Sequence, residues 1–292
     1  MDKHFCVGAF CFRLVCERDI DIPENFLLFE NPGHNSSELT YHMTIADSFP
    51  SVDGTIRARR SDLIVYGTDA GEARLIGIKG QAKPYALYRE LYDMEAEIFL
   101  AAEAVADLRF DPVFTSLFAL ERQMIRWDSM ILHCAYIKYH GKAILFSAPS
   151  ETGKSTQAGL WERYRGSETV NGDRALLRKI DGRWIACGWP VCGTSEICHL
   201  KDTPIHAVVM LRQGKENHVE RLSPVQGFAQ LYSQITVNQW NRDFVQRTAE
   251  LIEDLVVHVP VWQLTCNISE NAVRCLETVL FPEDISGRWD LV

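Results

Sequence analysis

The stretch Ile144 to Gln157, ILFSAPSETGKSTQ, constrains the fold of this chain more than any other. It opens with an apolar, β-prone run and passes through the flexible turn Ala148 to Gly153. Lys154-Ser155-Thr156 then begins a helix predicted through Leu160 and Trp161. Strand, loop and helix N-terminus in that order are the setting of a phosphate loop. Backbone N–H groups of such a loop converge on one point, and the unpaired amides and dipole of the following helix add positive potential there. Ser150, Glu151, Thr152, Gly153, Lys154, Ser155 and Thr156 are the candidate phosphate-cradling residues. Lys154 would reach the outer phosphates as a point charge, and the Ser155 hydroxyl would hold the Mg²⁺ that bridges them. The strict pattern begins with Gly where this chain has Ala148, which fits only with a negative φ. The competing reading is a chance Gly-Lys-Ser on a surface turn.

The 292 residues can bury a sizeable core and suit one large or two ordinary domains. A net charge of −9 argues against a nucleic-acid partner, which needs a basic surface, whereas a nucleotide needs only local positive charge. No run approaches the roughly 18 apolar residues of a membrane span, and MDKHFCVGAF lacks the apolar core of a signal peptide. A cytoplasmic protein is expected. In that compartment the nine scattered cysteines are expected to be reduced, and the sequons at Asn35 and Asn267 carry no meaning. Cys6, Cys11 and Cys16 make a poor metal site, five residues apart on a strand. Cys187, Cys192, Cys198 and His199 cluster better, but their spacing fits none of the common zinc patterns.

In chain order, Phe5 to Cys16 and Leu39 to Ile45 read as strands around the loop Pro32-Gly33-His34-Asn35-Ser36-Ser37, and Leu63 to Gly67 with Arg74 to Lys79 as a hairpin. Leu87, Leu91, Met94, Ile98 and Ala101 recur at threes and fours, predicting a helix over Pro84 to Val105. Tyr85, Tyr88 and Tyr92 would form a stripe on it, core-facing or ligand-facing. Asp111 to Met130 reads as a second helix with Pro112 in its first turn. Ile131 to Lys138 and Lys142 to Ser147 are strands around the turn Tyr139-His140-Gly141. Pro204 to Leu211 is a strand buried on both faces. Pro224 to Ile235 and Arg242 to Val257 are amphipathic helices, Pro260 to Thr265 is a strand, and Ser269 caps a last helix through Leu280. Arg212, Lys215 and Asn217 sit at a strand end, facing the phosphates or a solvated turn. Pro282 to Val292 carries no chemical signal.

Glu168 to Leu177, ETVNGDRALL, follows Lys154 by about the length of one crossover. A carboxylate at a strand end beside a phosphate loop can hold metal or accept the proton of an attacking hydroxyl, and Asp173 is placed for it. Asn-Gly-Asp is equally good hairpin chemistry.

Three segments together resemble the catalytic domain shared by HPr kinase/phosphorylase and phosphoenolpyruvate carboxykinase: Leu132 to Ile137, the strand into Ser150 to Thr156, and Asn171-Gly172-Asp173. They resemble more closely the HPr-kinase-like proteins of bacterial peptide-modification clusters, including lasso-peptide kinases. The resemblance covers roughly Asp111 to Leu280 and includes Gly188 to Ser195, a loop these relatives share near the acceptor. It implies that His133 stands at the position of the His in a His-Gly pair that precedes the P-loop of HPr kinase by one hairpin, and that Asp173 matches the first Asp of an Ala-Asp-Asp. Arg174 replaces the second Asp, which puts phosphorylase or carboxykinase activity in doubt. Residues 1 to about 107 do not resemble the N-terminal domain of HPr kinase.

The expectation is therefore an α/β protein: a smaller β-rich α+β domain over residues 1–107, then a mixed-sheet, HPr-kinase-like P-loop kinase domain over 108–292. The predicted activity is Mg²⁺-dependent transfer of the γ-phosphate of ATP or GTP to a hydroxyl, a serine of a peptide or protein by analogy with the relatives. Lys154, Asp173, His133 and Arg174 are the catalytic candidates, and Ser155 and Asp173 the metal ligands. A small-molecule kinase and a non-catalytic nucleotide-binding regulator are the alternatives, and a homo-oligomer stays open.

Overall fold

A computed structural model describes residues 1–33, 36–81 and 83–282. His34 and Asn35 of the first predicted loop, and residues 283–292 of the tail, lie outside the described residues. The chain separates into two units: Met1–Trp127 with Asn238–Arg242, and Asp128–Val237 with the described part of Asp243–Val292. No helix among the described residues is long and apolar enough to cross a membrane.

The first unit contains β1 (Asp2–Val7), β2 (Phe10–Cys16), α1 (Glu24–Leu27), β3 (Leu39–Ala46), β4 (Thr55–Arg59), β5 (Leu63–Thr68), β6 (Gly71–Ile76), β7 (Ala86–Glu90) and β8 (Glu95–Ala101). It closes with α2 (Asp111–Ser116) and α3 (Leu120–Arg126). The described strands form one mixed sheet in the order β1-β2-β3-β8-β7-β6-β5-β4, with β3 parallel to β2 and β8. The predicted strand Phe5 to Cys16 is a hairpin instead, turning at Gly8 with φ 62°. Its register sets Cys6 opposite Cys11, and the two form a disulfide, correcting the expectation that every thiol is free.

The helix predicted over Pro84 to Val105 is also overturned. Ala96, Ile98 and Leu100 are fully buried while Glu95, Glu97 and Phe99 are not, an alternation of two that belongs to a strand. Asp93 and Met94 turn β7 into β8 with φ near 60°. Tyr85 and Tyr88 are core residues and Tyr92 is exposed on the turn, so no tyrosine stripe forms. The second predicted helix breaks at Ala119 (φ 47°) into α2 and α3 and ends by Trp127. Both helices belong to the first unit, which runs through Trp127. Phe114 stacks edge-on to Phe26 at 4.8 Å, and the Tyr41 hydroxyl donates to the Phe118 carbonyl at 2.8 Å.

Asn238–Arg242 joins this unit through charge. Arg74, 5% exposed, pairs with Glu72 at 2.5 Å and Glu121 at 2.6 Å. Asn238 donates to Glu121 and Trp240 to Glu72, each near 3 Å. Buried charges persist only when paired and hydrogen-bonded; Arg74 is paired twice through Nε and Nη1, and its Nη2 is buried with no hydrogen-bond partner.

The second unit contains β9 (Ser129–Tyr139), β10 (Lys142–Ser147), α4 (Lys154–Arg165), β11 (Glu168–Asn171), β12 (Arg174–Ile180), β13 (Arg183–Cys187), β14 (Thr203–Gln213), β15 (His218–Arg221), α5 (Pro224–Tyr232), α6 (Arg242–His258), β16 (Val261–Cys266) and α7 (Glu270–Leu280). Its sheet is also mixed. β10 runs parallel to β14, and β14 parallel to β16, while β9, β12 and β13 are antiparallel neighbours. Since β14 also pairs with β13, the path β10-β9-β12-β13-β14 returns to β10. Residues His140 and Gly141, then Asp181 and Gly182, turn their hairpins with φ of 47–77°, the left-handed pair that two-residue turns require.

α4 and α7 cover one sheet face. Trp161 and Leu160 pack there with Ile144, Phe146, Val209 and Leu276, and burying each large side chain contributes roughly 2–3 kcal/mol. Arg165 on α4 reaches Glu277 on α7 at 2.7 Å. α5 begins with a full capping box between Ser223 and Gln226. Ser269 stands at the N-cap of α7 but makes no capping bond; its hydroxyl donates to Asn267 at 2.5 Å and accepts from the Asn217 amide at 3.4 Å instead.

Candidate active site

β10 ends at Ser147, and residues 148–153 lead directly into α4. Ala148 is not among the residues with positive φ, so it meets the condition its place in the loop imposes. The turn is made by Glu151 (φ 65°) and Gly153 (φ 110°) instead. Gly153 faces open space where a Cβ would stand, and its left-handed φ explains the choice of glycine. The predicted helix thus begins at Lys154 and carries Ser155 and Thr156 exposed on its first turn.

Lys154 is only 7% exposed, and its ammonium donates to the carbonyls of Ala148 at 3.0 Å and Pro149 at 3.3 Å. The side chain therefore folds over its own loop. Burial pulls its pKa down, while the nearby Asp173 charge pushes it up.

Asp173 reaches the site by strand register. β11 and β12 both pair antiparallel with the long strand β9, with Asn171 opposite Tyr136 and Arg174 opposite His133. Asn-Gly-Asp is thus a gap within one strand path, not a hairpin turn. Across it the Asp173 carbonyl accepts from Cys134 N at 2.9 Å, and Cys134 is the partner of Ser147 on β10. Asp173 stands two strands from the residue where the loop begins, roughly 10 Å at ordinary strand spacing. Ser147 links the layers further by donating its hydroxyl to the His133 carbonyl at 2.8 Å.

The Asp173 carboxylate lies between the His133 ring and the Arg174 guanidinium. His133 Nε2 is 3.4 Å from Oδ1, and Arg174 Nε donates to Oδ2 at 3.0 Å. Burial alone would raise the pKa of this carboxyl. The His133 hydrogen bond and the Arg174 charge outweigh it and hold the group below its usual range. Arg174 Nη1 also donates, at 3.4 Å, to the Thr236 hydroxyl, and His133 N donates to the Gln234 carbonyl. The register thus unites His133, Asp173 and Arg174, and the Asp173 charge is felt at Lys154.

Asn171 is the residue whose importance the spacing did not reveal. It is fully buried, and its amide donates to the Trp189 carbonyl at 2.9 Å and the Val191 carbonyl at 3.2 Å. Its Oδ1 accepts from the backbone N of Asp173 and of Arg174, both at 2.9 Å. One side chain thereby fixes the gap in the strand and the 188–195 loop together. That loop closes on the acid: a Cβ on Gly193 would lie 3.1 Å from Asp173 Cβ, and one on Gly172 would strike Ser195 Oγ at 2.0 Å. The sequence signal was a buried-type strand, Thr169-Val170, ending on an amide side chain.

Other candidates fall elsewhere. Among the described residues no group of His, Cys, Asp and Glu could hold a metal ion by itself, so Cys187, Cys192, Cys198 and His199 form no metal site. Arg212 and Lys215 are exposed, and Asn217 is spent on the 266–269 turn, accepting from Asn267 N at 3.0 Å. A cavity of about 520 Å³ opens beside the phosphate loop, against the ends of β14 and β16.

None of the curated proteins matches this chain. Among solved structures, the HPr(Ser) kinase/phosphatase from Coxiella burnetii is similar at 12% identity over 56% of this chain and 99% of that one, with a TM-score of 0.31. The family model described as SynChlorMet cassette protein ScmC matches residues 101–281, from the end of β8 through α7, the whole candidate site included. That span exceeds half of the sequence, and the chain belongs to the SynChlorMet cassette protein ScmC family.

Proposed function

We propose that this chain is a Mg²⁺-dependent phosphotransferase that moves the γ-phosphate of a nucleoside triphosphate to a hydroxyl, with the serine of a peptide or protein as the acceptor class. The observation that carries the reading is the joint placement of Lys154 on the loop and Asp173 two strands away, with His133 and Arg174 on the acid. Phosphoryl transfer asks for positioning and charge neutralisation more than covalent chemistry. Loop amides from Ser150 to Thr156 and the Lys154 ammonium would hold the phosphates. Binding would draw Lys154 from the Ala148 and Pro149 carbonyls to a full negative charge.

The donor set suits Mg²⁺, which keeps several waters and takes one or two carboxylates plus substrate phosphates rather than an all-protein cage. Ser155, exposed on the first turn, and Asp173, about one quarter exposed at its side chain, would hold it. Bound there, the ion would neutralise charge on the phosphates. Asp173 would accept the acceptor proton, and its depressed pKa keeps it ionised and ready at neutral pH. Arg174 is 37% exposed at its side chain, free enough to leave Oδ2 and meet the transferred group. His133 would orient the carboxylate.

The test is transfer of label from γ-labelled ATP to peptide and metabolite pools. Peptide labelling that Lys154→Ala abolishes supports the reading, and metabolite labelling alone would reassign the acceptor. Binding without any product would make the chain a regulator, and an Asp173→Asn variant as fast as the parent removes the general-base role.

A further inference from the structure

The cavity beside the phosphate loop has a floor from α4 and a wall from the ends of β14 and β16, including Thr156, Gln157, Gln213, Gly214, Asn267 and Ile268. His133, Lys154 and Asp173 do not line it. A triphosphate whose outer end faces Lys154 and Asp173 must direct its other end the opposite way, along the first turn of α4 past Thr156. That path leads into this cavity.

Its chemistry excludes a second anion, because no Lys, Arg or His lines it and Glu151 at the mouth is negative. Amide and apolar groups dominate instead. Gln157 is 3% exposed; its Nε2 donates to Cys266 Sγ at 3.1 Å, and its Oε1 is buried with no hydrogen-bond partner. A buried acceptor without a donor calls for one from outside. Gln213 holds the loop carbonyls of Glu151 and Thr152 only by long bonds of 3.4 and 3.5 Å, which are easily given up. Ile268, 78% exposed, offers an apolar surface at the rim. The volume, about 520 Å³, lies within the range of small-ligand sites.

We infer that this cavity binds the nucleoside portion of the nucleotide, with Ile268 against the flat face of the base and the amides of Gln157 and Gln213 on its polar edge. The inference rests on the phosphate-loop reading above. Calorimetric titration of the full chain with Mg·ATP and, separately, with Mg·triphosphate tests it, using the parent, Gln213→Ala and Ile268→Ala. Both substituted side chains are exposed, so the variants should fold.

The expected result is that the parent binds ATP at least ~10-fold tighter than inorganic triphosphate, and that each variant loses ~3- to 10-fold in ATP affinity with triphosphate affinity held within twofold, a tenfold change corresponding to about 1.4 kcal/mol. Equal affinity of the parent for both ligands, or ATP affinity indifferent to both substitutions, overturns the nucleoside site and leaves the phosphate loop standing. Failure of the parent to bind either ligand removes both.

Discussion

Replacing Asn171 by Leu keeps the volume and removes four hydrogen bonds, two from its amide to the Trp189 and Val191 carbonyls and two to its Oδ1 from the Asp173 and Arg174 amides. A typical bond contributes about 1 kcal/mol net, and a buried group left unpaired costs about 1–3 kcal/mol. Trp189 and Val191 are 4% and 8% exposed, so their carbonyls gain no ready replacement, whereas water reaches the half-buried Asp173 and Arg174 more easily. The sum is about 3 kcal/mol, or a fall in Tm of roughly 6–12 °C for a unit of this size. Tryptophan fluorescence during heating reads it, since Trp184 and Trp189 both lie in the second unit. The substitution should also cost phosphate transfer more than nucleotide affinity, because it frees Asp173 without touching the loop. A loss of Tm below about 3 °C, with transfer intact, refutes the claim that Asn171 holds the acid in place.

Gly172→Ala places a methyl on Ser195 Oγ and should cost about 1–3 kcal/mol, with Ser195→Gly restoring most of the loss in a double variant, read by urea midpoints. The Asp173 carboxyl should titrate below 3.8 by NMR, and His133→Ala or Arg174→Ala should each raise it. Because its folded pKa is depressed, its contribution to stability is present above about 3.8 and is lost as pH falls through the folded value, so acid unfolding of the variants should be less steep there. Arg74→Met removes the shared cation from the Glu72 and Glu121 carboxylates, leaving Glu72 with Trp240 and Arg122 and Glu121 with Asn238, an expected loss of about 3–5 kcal/mol by chemical denaturation.

Local signals determined a good deal by themselves. The strand, loop and helix of residues 144–165, the hairpin β5–β6, the buried strand β14 and helices α5 to α7 follow from short-range periodicity and turn residues, which act within a few positions. The sequence misled where two periods coexist: Leu87 to Ala101 fits threes and fours, yet the pairing of β7 and β8 with β6 and β3 selects the period of two. Neither propensity nor spacing decides that, because sheet pairing joins segments far apart in the chain. The disulfide needed the register of β1 on β2, which one residue of slip would abolish. Asn171 needed a tertiary contact, since its partners Trp189 and Val191 lie beyond β12 and β13. Candidate chemistry was legible residue by residue in Lys154 and Asp173. Only the tertiary structure decides how the segments that carry them are joined: β9 pairs with β10 on one side and with the Asn171–Arg174 path on the other.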